Sequence, residues 1–216
     1  MKKNRRNLFV SLLSLALVCV VAIGATLAYF TDKTEVAQNV FTTGKVSIDL
    51  IDKSEPEDGQ VGGVETENGI AFDKVMPGDD LSKIVGINTA ADSSDAYVAI
   101  RVSVKDVVLP NAQSVLPDEA TAQISDIIKA QVDTFLWDYQ DMGNGDVIYY
   151  FKSVVPGDVN NLILFSHIPV PGVEWNNEYT DMSFRVDVQA AAIQADNTDL
   201  DLLKGMDWDA IEALAD

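Results

Sequence analysis

One cysteine and one histidine stand in this sequence, so neither has a partner of its own kind. Cys19 lies inside an apolar run near the N-terminus, with Val18 before it and more apolar residues after it. That is not the place of a lipoprotein cysteine, and no cysteine follows it. No disulfide can form within the chain, and no cysteine nucleophile exists beyond residue 19. An exported chain of this kind is held by its core, by ions or by neighbouring molecules. The lone His167, in Phe165-Ser166-His167-Ile168-Pro169, rules out the His-Glu-x-x-His zinc site, which needs two imidazoles one helical turn apart. It reads as a structural strand residue. No Gly-x-Ser-x-Gly elbow and no glycine-rich phosphate loop is present. Basic residues are scarce, 15 against 34 acids. That balance argues against nucleic acid, whose phosphates would repel the chain, and against anionic lipid.

Carboxylates are abundant, but their spacing singles out no acid/base pair for glycoside cleavage. Two acidic turns, Asp141–Asp146 and Asp196–Asp201, place oxygen ligands close together. Neither has the alternate ligands, central Gly and terminal Glu of an EF-hand loop. Calcium at either turn stands as the alternative to a plain acidic turn. No metal or other cofactor is expected, and the sequence reads as a non-enzyme.

What is present begins with an export signal. Lys2, Lys3, Arg5 and Arg6 precede an apolar run from Leu8 to about Leu27. The run exits through Gly24-Ala25-Thr26-Leu27-Ala28, with small residues at the two positions a signal peptidase inspects. Cleavage is expected after Ala28. The alternative is a retained anchor, because the run approaches the roughly 20 residues that span a bilayer. In either case the rest of the chain lies outside. Removal of residues 1–28 leaves 188 residues and takes the formal charge from −19 to −23, since the signal carries four bases and no acid. No membrane contact is expected after cleavage. No C-terminal sorting motif with a hydrophobic tail is seen, so attachment to a wall by a sortase is not expected.

The mature chain is patterned for strands. Val46–Leu50 alternates apolar and polar residues, as do Ala96–Val108 and Met182–Ile193. In the second, Val98, Ile100, Val102 and Val104 share a face opposite Arg101, Ser103 and Lys105. In the third, Phe184, Val186 and Val188 alternate with Arg185, Asp187 and Gln189. Leu81–Asn88, Phe135–Tyr139, Val147–Val155 and Leu162–Ile168 are further strands, with Asp141–Asp146 as a hairpin turn. Residues 52–69 read as a loop. Ala120, Ile124, Ile127, Ile128 and Val132 recur at helical spacing within Asp118–Val132. A short terminal helix is expected over Asp207–Leu214, docking through Trp208 and Ile211. Trp137, Tyr139, Tyr149 and Tyr150 flank the hairpin turn and read as core and cross-strand pairs rather than a sugar platform.

Seven or eight strands without regular alternating helices imply an all-β fold. The expected architecture is an antiparallel β-sandwich, jelly-roll-like, with one inserted helix and a short C-terminal helix. The reading divides the chain into a signal peptide (1–28), an N-terminal segment (29–41), the sandwich (42–196) and an acidic tail (197–216). Pro77-Gly78-Asp79, leading to Arg101-Val102-Ser103-Val104, is echoed by Pro156-Gly157-Asp158, leading to Arg185-Val186-Asp187-Val188. The spacings differ, so both a true repeat and chance similarity stay open.

Three segments carry a resemblance. Ala28-Tyr29-Phe30-Thr31-Asp32 behind the signal, Phe41-Thr42-Thr43-Gly44-Lys45-Val46-Ser47-Ile48-Asp49-Leu50, and Pro77-Gly78-Asp79-Asp80-Leu81-Ser82-Lys83 with Asn88 resemble the TasA/camelysin family of Gram-positive exported proteins. The match covers residues 10–50 best and 76–104 less closely. The resemblance implies processing by a SipW-type signal peptidase and a secreted, extracellular subunit of a cell-surface or biofilm-matrix fibre. It also implies a homo-oligomer in which the mature N-terminal segment of one subunit completes the sheet of the next. Tyr29, Phe30, Val36, Val40 and Phe41 are the apolar residues of that segment, too few to fold alone but enough to fill a groove. A strand added to an open edge satisfies backbone groups while alternate side chains enter pockets. Head-to-tail addition does not close, so it makes a filament. The alternative is that residues 29–41 fold onto their own domain. Two other readings are a camelysin-like cell-surface metallopeptidase and a monomeric surface adhesin.

Overall fold

Backbone groups removed from water must find partners, and here strands supply most of them. The computed structural model describes residues 40–43, 45–67, 69–196 and 198–208. All belong to one unit, Ala37–Asp216. In chain order the elements are β1 (Val40–Thr43), β2 (Ile48–Lys53), β3 (Val61–Gly62), β4 (Val64–Glu65), β5 (Gly69–Val75), β6 (Asp80–Thr89) and β7 (Ala96–Val108). They continue with α1 (Pro117–Gln131), β8 (Trp137–Gly143), β9 (Asp146–Phe151), β10 (Leu162–Pro169), β11 (Met182–Gln194) and α2 (Leu200–Lys204). A single 3-10 turn covers Asn177–Tyr179.

The larger sheet runs β4-β5-β11-β7-β9-β8, with β1 added to β11. The smaller runs β10-β6-β2, with β3 added to β6. Most pairings are antiparallel; β1 on β11 and β3 on β6 are parallel. This is the antiparallel β-sandwich with one inserted and one short C-terminal helix that the strand pattern implies. Among the described residues no helix is long and apolar enough to cross a membrane. The apolar run of residues 8–27 lies outside them.

The core lies between the sheets. Leu81, Val85 and Ile87 of β6 face Val98, Ile100, Val102 and Val104 of β7 and Phe184, Val186 and Val188 of β11, all buried. Phe72 and Phe184 are cross-strand partners whose ring centroids lie 5.4 Å apart. Helix α1 closes the core beside β7 and β10 through Ala120, Ile124 and Ile128, one residue per turn. Pro117 starts it where no intrahelical N–H is needed, and Asp118 and Glu119 sit in the first turn where the helix dipole favours negative charge.

The outer face of the larger sheet carries a second apolar cluster. Ala99, Ile148, Tyr150, Ala191 and Ile193 are covered by Leu203 of α2 and by Trp208. Helix α2 lies in the tail that reads in sequence only as acidic. Asp199 caps it by accepting from Leu202 N at 3.1 Å. Of the helix expected over Asp207–Leu214, residues from 209 onward lie outside the described residues.

Three further departures have local causes. The stretch 52–69 holds the end of β2 and the two-residue strands β3 and β4, short pieces that follow no alternation. Strand β5 was not expected, because its apolar spacing breaks at a bulge opposite Met182–Phe184, where Lys74 takes a positive φ of 55°. The hairpin turn narrows to Asn144-Gly145, both left-handed, which gives a two-residue connection with the twist that the flanking strands need.

The Pro-Gly-Asp echo has a counterpart in the pairing. Strand β6 lies antiparallel to β10, and β7 lies antiparallel to β11 with Ser103 opposite Asp187. The two turns differ in mechanism. Met76 O accepts from Asp79 N at 3.1 Å across Pro77-Gly78, and Gly78 supplies the positive φ of 95°. At the second turn the positive φ falls on Asp158, and Gly157 is needed for close approach: a Cβ there would stand 2.4 Å from Ser93 O.

Candidate functional site

Strand β11 is thirteen residues long, and its two sides are filled differently. On one side β7 pairs with it from Ser183 to Gln194. On the other, β5 covers Met182–Asp187 and then ends. Further along that edge β1 pairs in parallel, with Val40 opposite Ala190, Phe41 opposite Ala191, Thr42 opposite Ala192 and Thr43 opposite Ile193. Four residues of chain from before the first long strand thus close an edge that would otherwise offer unpaired N–H and C=O groups.

The acceptor sequence suits such a seat. Ala190, Ala191 and Ala192 are fully buried, and their small side chains serve both faces of the sheet. Ala190 and Ala192 belong to the inter-sheet core, and Ala191 to the outer cluster under Leu203 and Trp208. The tail therefore roofs the strand edge that β1 occupies.

The chain after β1 is anchored. Ser94 N donates to Lys45 O and Ala90 N to Ser47 O, both at 3.0 Å, while Ser47 N donates to Ser93 Oγ at 3.1 Å. Val46 is buried behind these bonds. A short strand held on one edge therefore precedes a fixed point at residues 45–47.

Of the residues singled out in the sequence, Val40 and Phe41 lie in β1. Ala28, Tyr29, Phe30 and Val36 lie outside the described residues. What the sequence did not reveal was the seat of β1, Ala190–Ile193; the run of three alanines inside a strand of larger apolar residues is the signal of it.

Other candidate chemistry finds mundane partners. His167 pairs in the sheet opposite Ser82, and its Nδ1 lies 3.3 Å from Ser166 Oγ. Among the described residues no group of three or more His, Cys, Asp or Glu side chains gathers as for a metal ion. Asp141 accepts from Lys129 Nζ at 2.7 Å and Gly143 N at 2.9 Å, and these bonds hold its carboxyl below the usual range. Burial pushes Asp146 up, but Ser103, Lys105 and Arg101 outweigh it, so its carboxyl titrates lower than usual. Trp137, Tyr149 and Tyr150 are buried, and only Tyr139 is substantially exposed. A cleft of about 340 Å³ between α1 and the 171–179 loop is lined by Gln123, Asp126, Glu174, Trp175 and Tyr179. Its two rings stack on each other at 4.3 Å and are nearly buried, which leaves no free aromatic face for a sugar.

No known protein family, no curated protein and no solved structure matches this chain.

Proposed function

We propose that this chain is a secreted structural subunit of a Gram-positive cell-surface or biofilm-matrix fibre, assembling by donation of its N-terminal strand to the β11 edge of a second copy. What supports the reading is the parallel seat of β1 on Ala190–Ile193, a stretch of edge that β5 does not reach. Within one chain the strand fills its own seat, which for Val40 and Phe41 is the folding onto their own domain given above as the alternative, so donation requires that this strand be exchanged between copies. The seat is local, the strand is short, and the chain is anchored just beyond it. The same backbone bonds can therefore form between two copies at little net cost, which is the condition for exchange of an element between protomers. Tyr29, Phe30 and Val36, upstream of β1, add apolar surface that a neighbouring subunit can bury. A SipW-type peptidase cutting after Ala28 frees this segment, so assembly waits for export. A formal charge of −23 on the processed chain keeps unassembled copies apart.

The test compares the chain beginning at Tyr29 with one beginning at Thr42, by electron microscopy across protein concentration and pH. Filaments from the first and folded monomers from the second are expected. Normal polymerisation of the shortened chain would refute strand donation.

A further inference from the structure

Lys83 stands where a charge is least expected. It belongs to the inward row of β6 with Leu81, Val85 and Ile87, and it has no exposed surface. Its stem crosses the gap between the sheets, and Nζ donates to Val186 O of β11 at 3.1 Å. The same nitrogen donates to Asp52 Oδ1, whose side chain is 15% exposed. Asp52 faces Val85 in the β2–β6 register, so it too points into the sandwich. An ammonium here has three N–H groups and two acceptors, and removing an ion pair from water costs more than an imperfectly satisfied contact returns. Burial is the strongest influence on both groups: it pushes the amine down and the carboxyl up, against their mutual attraction. Burial thus works against the charged form of both groups.

We propose that Lys83 Nζ and Asp52 Cγ join as an amide, an intramolecular isopeptide cross-link between β6 and β2. The nitrogen lone pair attacks Cγ, and the Nζ–Cγ bond forms. The bond from Cγ to the hydroxyl oxygen then breaks. That oxygen takes a proton from nitrogen and leaves as water through the exposed side of Asp52. No oxidant, cofactor or second substrate enters. The fold holds Nζ in hydrogen-bond contact with the carboxyl group it attacks, which replaces a bimolecular encounter, and it supplies a desolvated lysine, which is a competent nucleophile. The product removes both buried charges and keeps one N–H for Val186 O. It closes the chain from residue 52 to residue 83 around β3, β4 and β5. In a chain without cysteine beyond residue 19 it gives the sandwich a covalent tie.

The mass of the purified, denatured chain beginning at Tyr29 tests this. A deficit of one water from the sequence mass is expected. Tryptic mapping should show no cleavage after Lys83 and a branched peptide that joins it to Asp52. Asp52→Ala should restore the full mass. Asp52→Asn should lose ammonia in place of water, since the amide can react in the same position. A succinimide at Asp58-Gly59 also loses water, so Asp58→Ala should leave the deficit unchanged. Full sequence mass in the folded parent chain, or a deficit that maps elsewhere, overturns the proposal. If Asp52→Ala fails to fold, the peptide map of the parent chain still decides.

Discussion

Phe41 of β1 lies opposite Ala191 of β11 in a parallel register, the second pair of a four-residue ladder. That pairing is the point at which fold and proposed function meet.

A proline at position 41 tests the ladder through the backbone. Proline has no backbone donor, and its ring restricts φ. Loss of a ladder hydrogen bond should cost about 1 kcal/mol. Phe41→Pro should speed amide exchange at Ala190–Ile193 and shorten or abolish filaments, while far-ultraviolet circular dichroism stays that of the parent. Filaments of normal length would show that this strand is not the connector.

The roof over the acceptor edge makes a second prediction. Trp208 and Leu203 bury the outer faces of Ala191, Ile193 and Tyr150. Trp208→Ala should cost on the order of 3 kcal/mol, the usual range for an aromatic side chain lost from a packed site. Chemical denaturation measures it, and amide exchange should place the loosening at Ala190–Ile193 before the rest of β11.

Acid should loosen one loop selectively. Glu178 accepts from Gln113 N, Ser114 N, Val115 N and the Ser114 hydroxyl, at 2.7–3.1 Å. The backbone bonds, then the hydroxyl, bring its carboxyl down to about 2 from an ordinary value of 4.5. A carboxylate whose folded pKa is depressed stabilises the fold above the unfolded value, and the contribution is lost as pH falls through the folded one. The 113–115 loop should therefore hold firm above about 4.5 and loosen between there and about 2. Amide exchange at Gln113, Ser114 and Val115 checks this. Glu178→Gln should show the loosened loop at neutral pH and differ little from the parent near pH 2. Acid also neutralises surface carboxylates, so filament growth should quicken before this loop opens.

Long strands were legible in the sequence and short ones were not. Ala96–Val108 reads as a strand because Val98, Ile100, Val102 and Val104 alternate without interruption, and β7 has those bounds. Helix α1 was legible because Ala120, Ile124 and Ile128 repeat every turn over fifteen residues. Strand β5 escaped because the bulge at Lys74 breaks the alternation between Phe72 and Val75. Strands β3 and β4, two residues each, carry too little pattern to register. The acceptor edge escaped for a different reason. Sequence shows that Val40 and Phe41 are apolar, but which strand leaves an edge free depends on where β5 stops along β11, and that is a tertiary fact. The Lys83–Asp52 contact was hidden in the same way, since a lysine and an aspartate 31 positions apart become neighbours only through the β2–β6 register.

The most direct measurement uses the absence of cysteine beyond residue 19. Phe41→Cys and Ala191→Cys together, in the chain beginning at Tyr29, place two thiols at register partners on neighbouring strands, whose usual spacing of about 4.8 Å lies within the range a disulfide spans. Assembled material is oxidised and run on a denaturing gel without reductant. Strand donation predicts covalent ladders of dimers and higher multimers from filaments, and internally linked single chains from the unassembled fraction. Filaments that yield only internally linked single chains would contradict it.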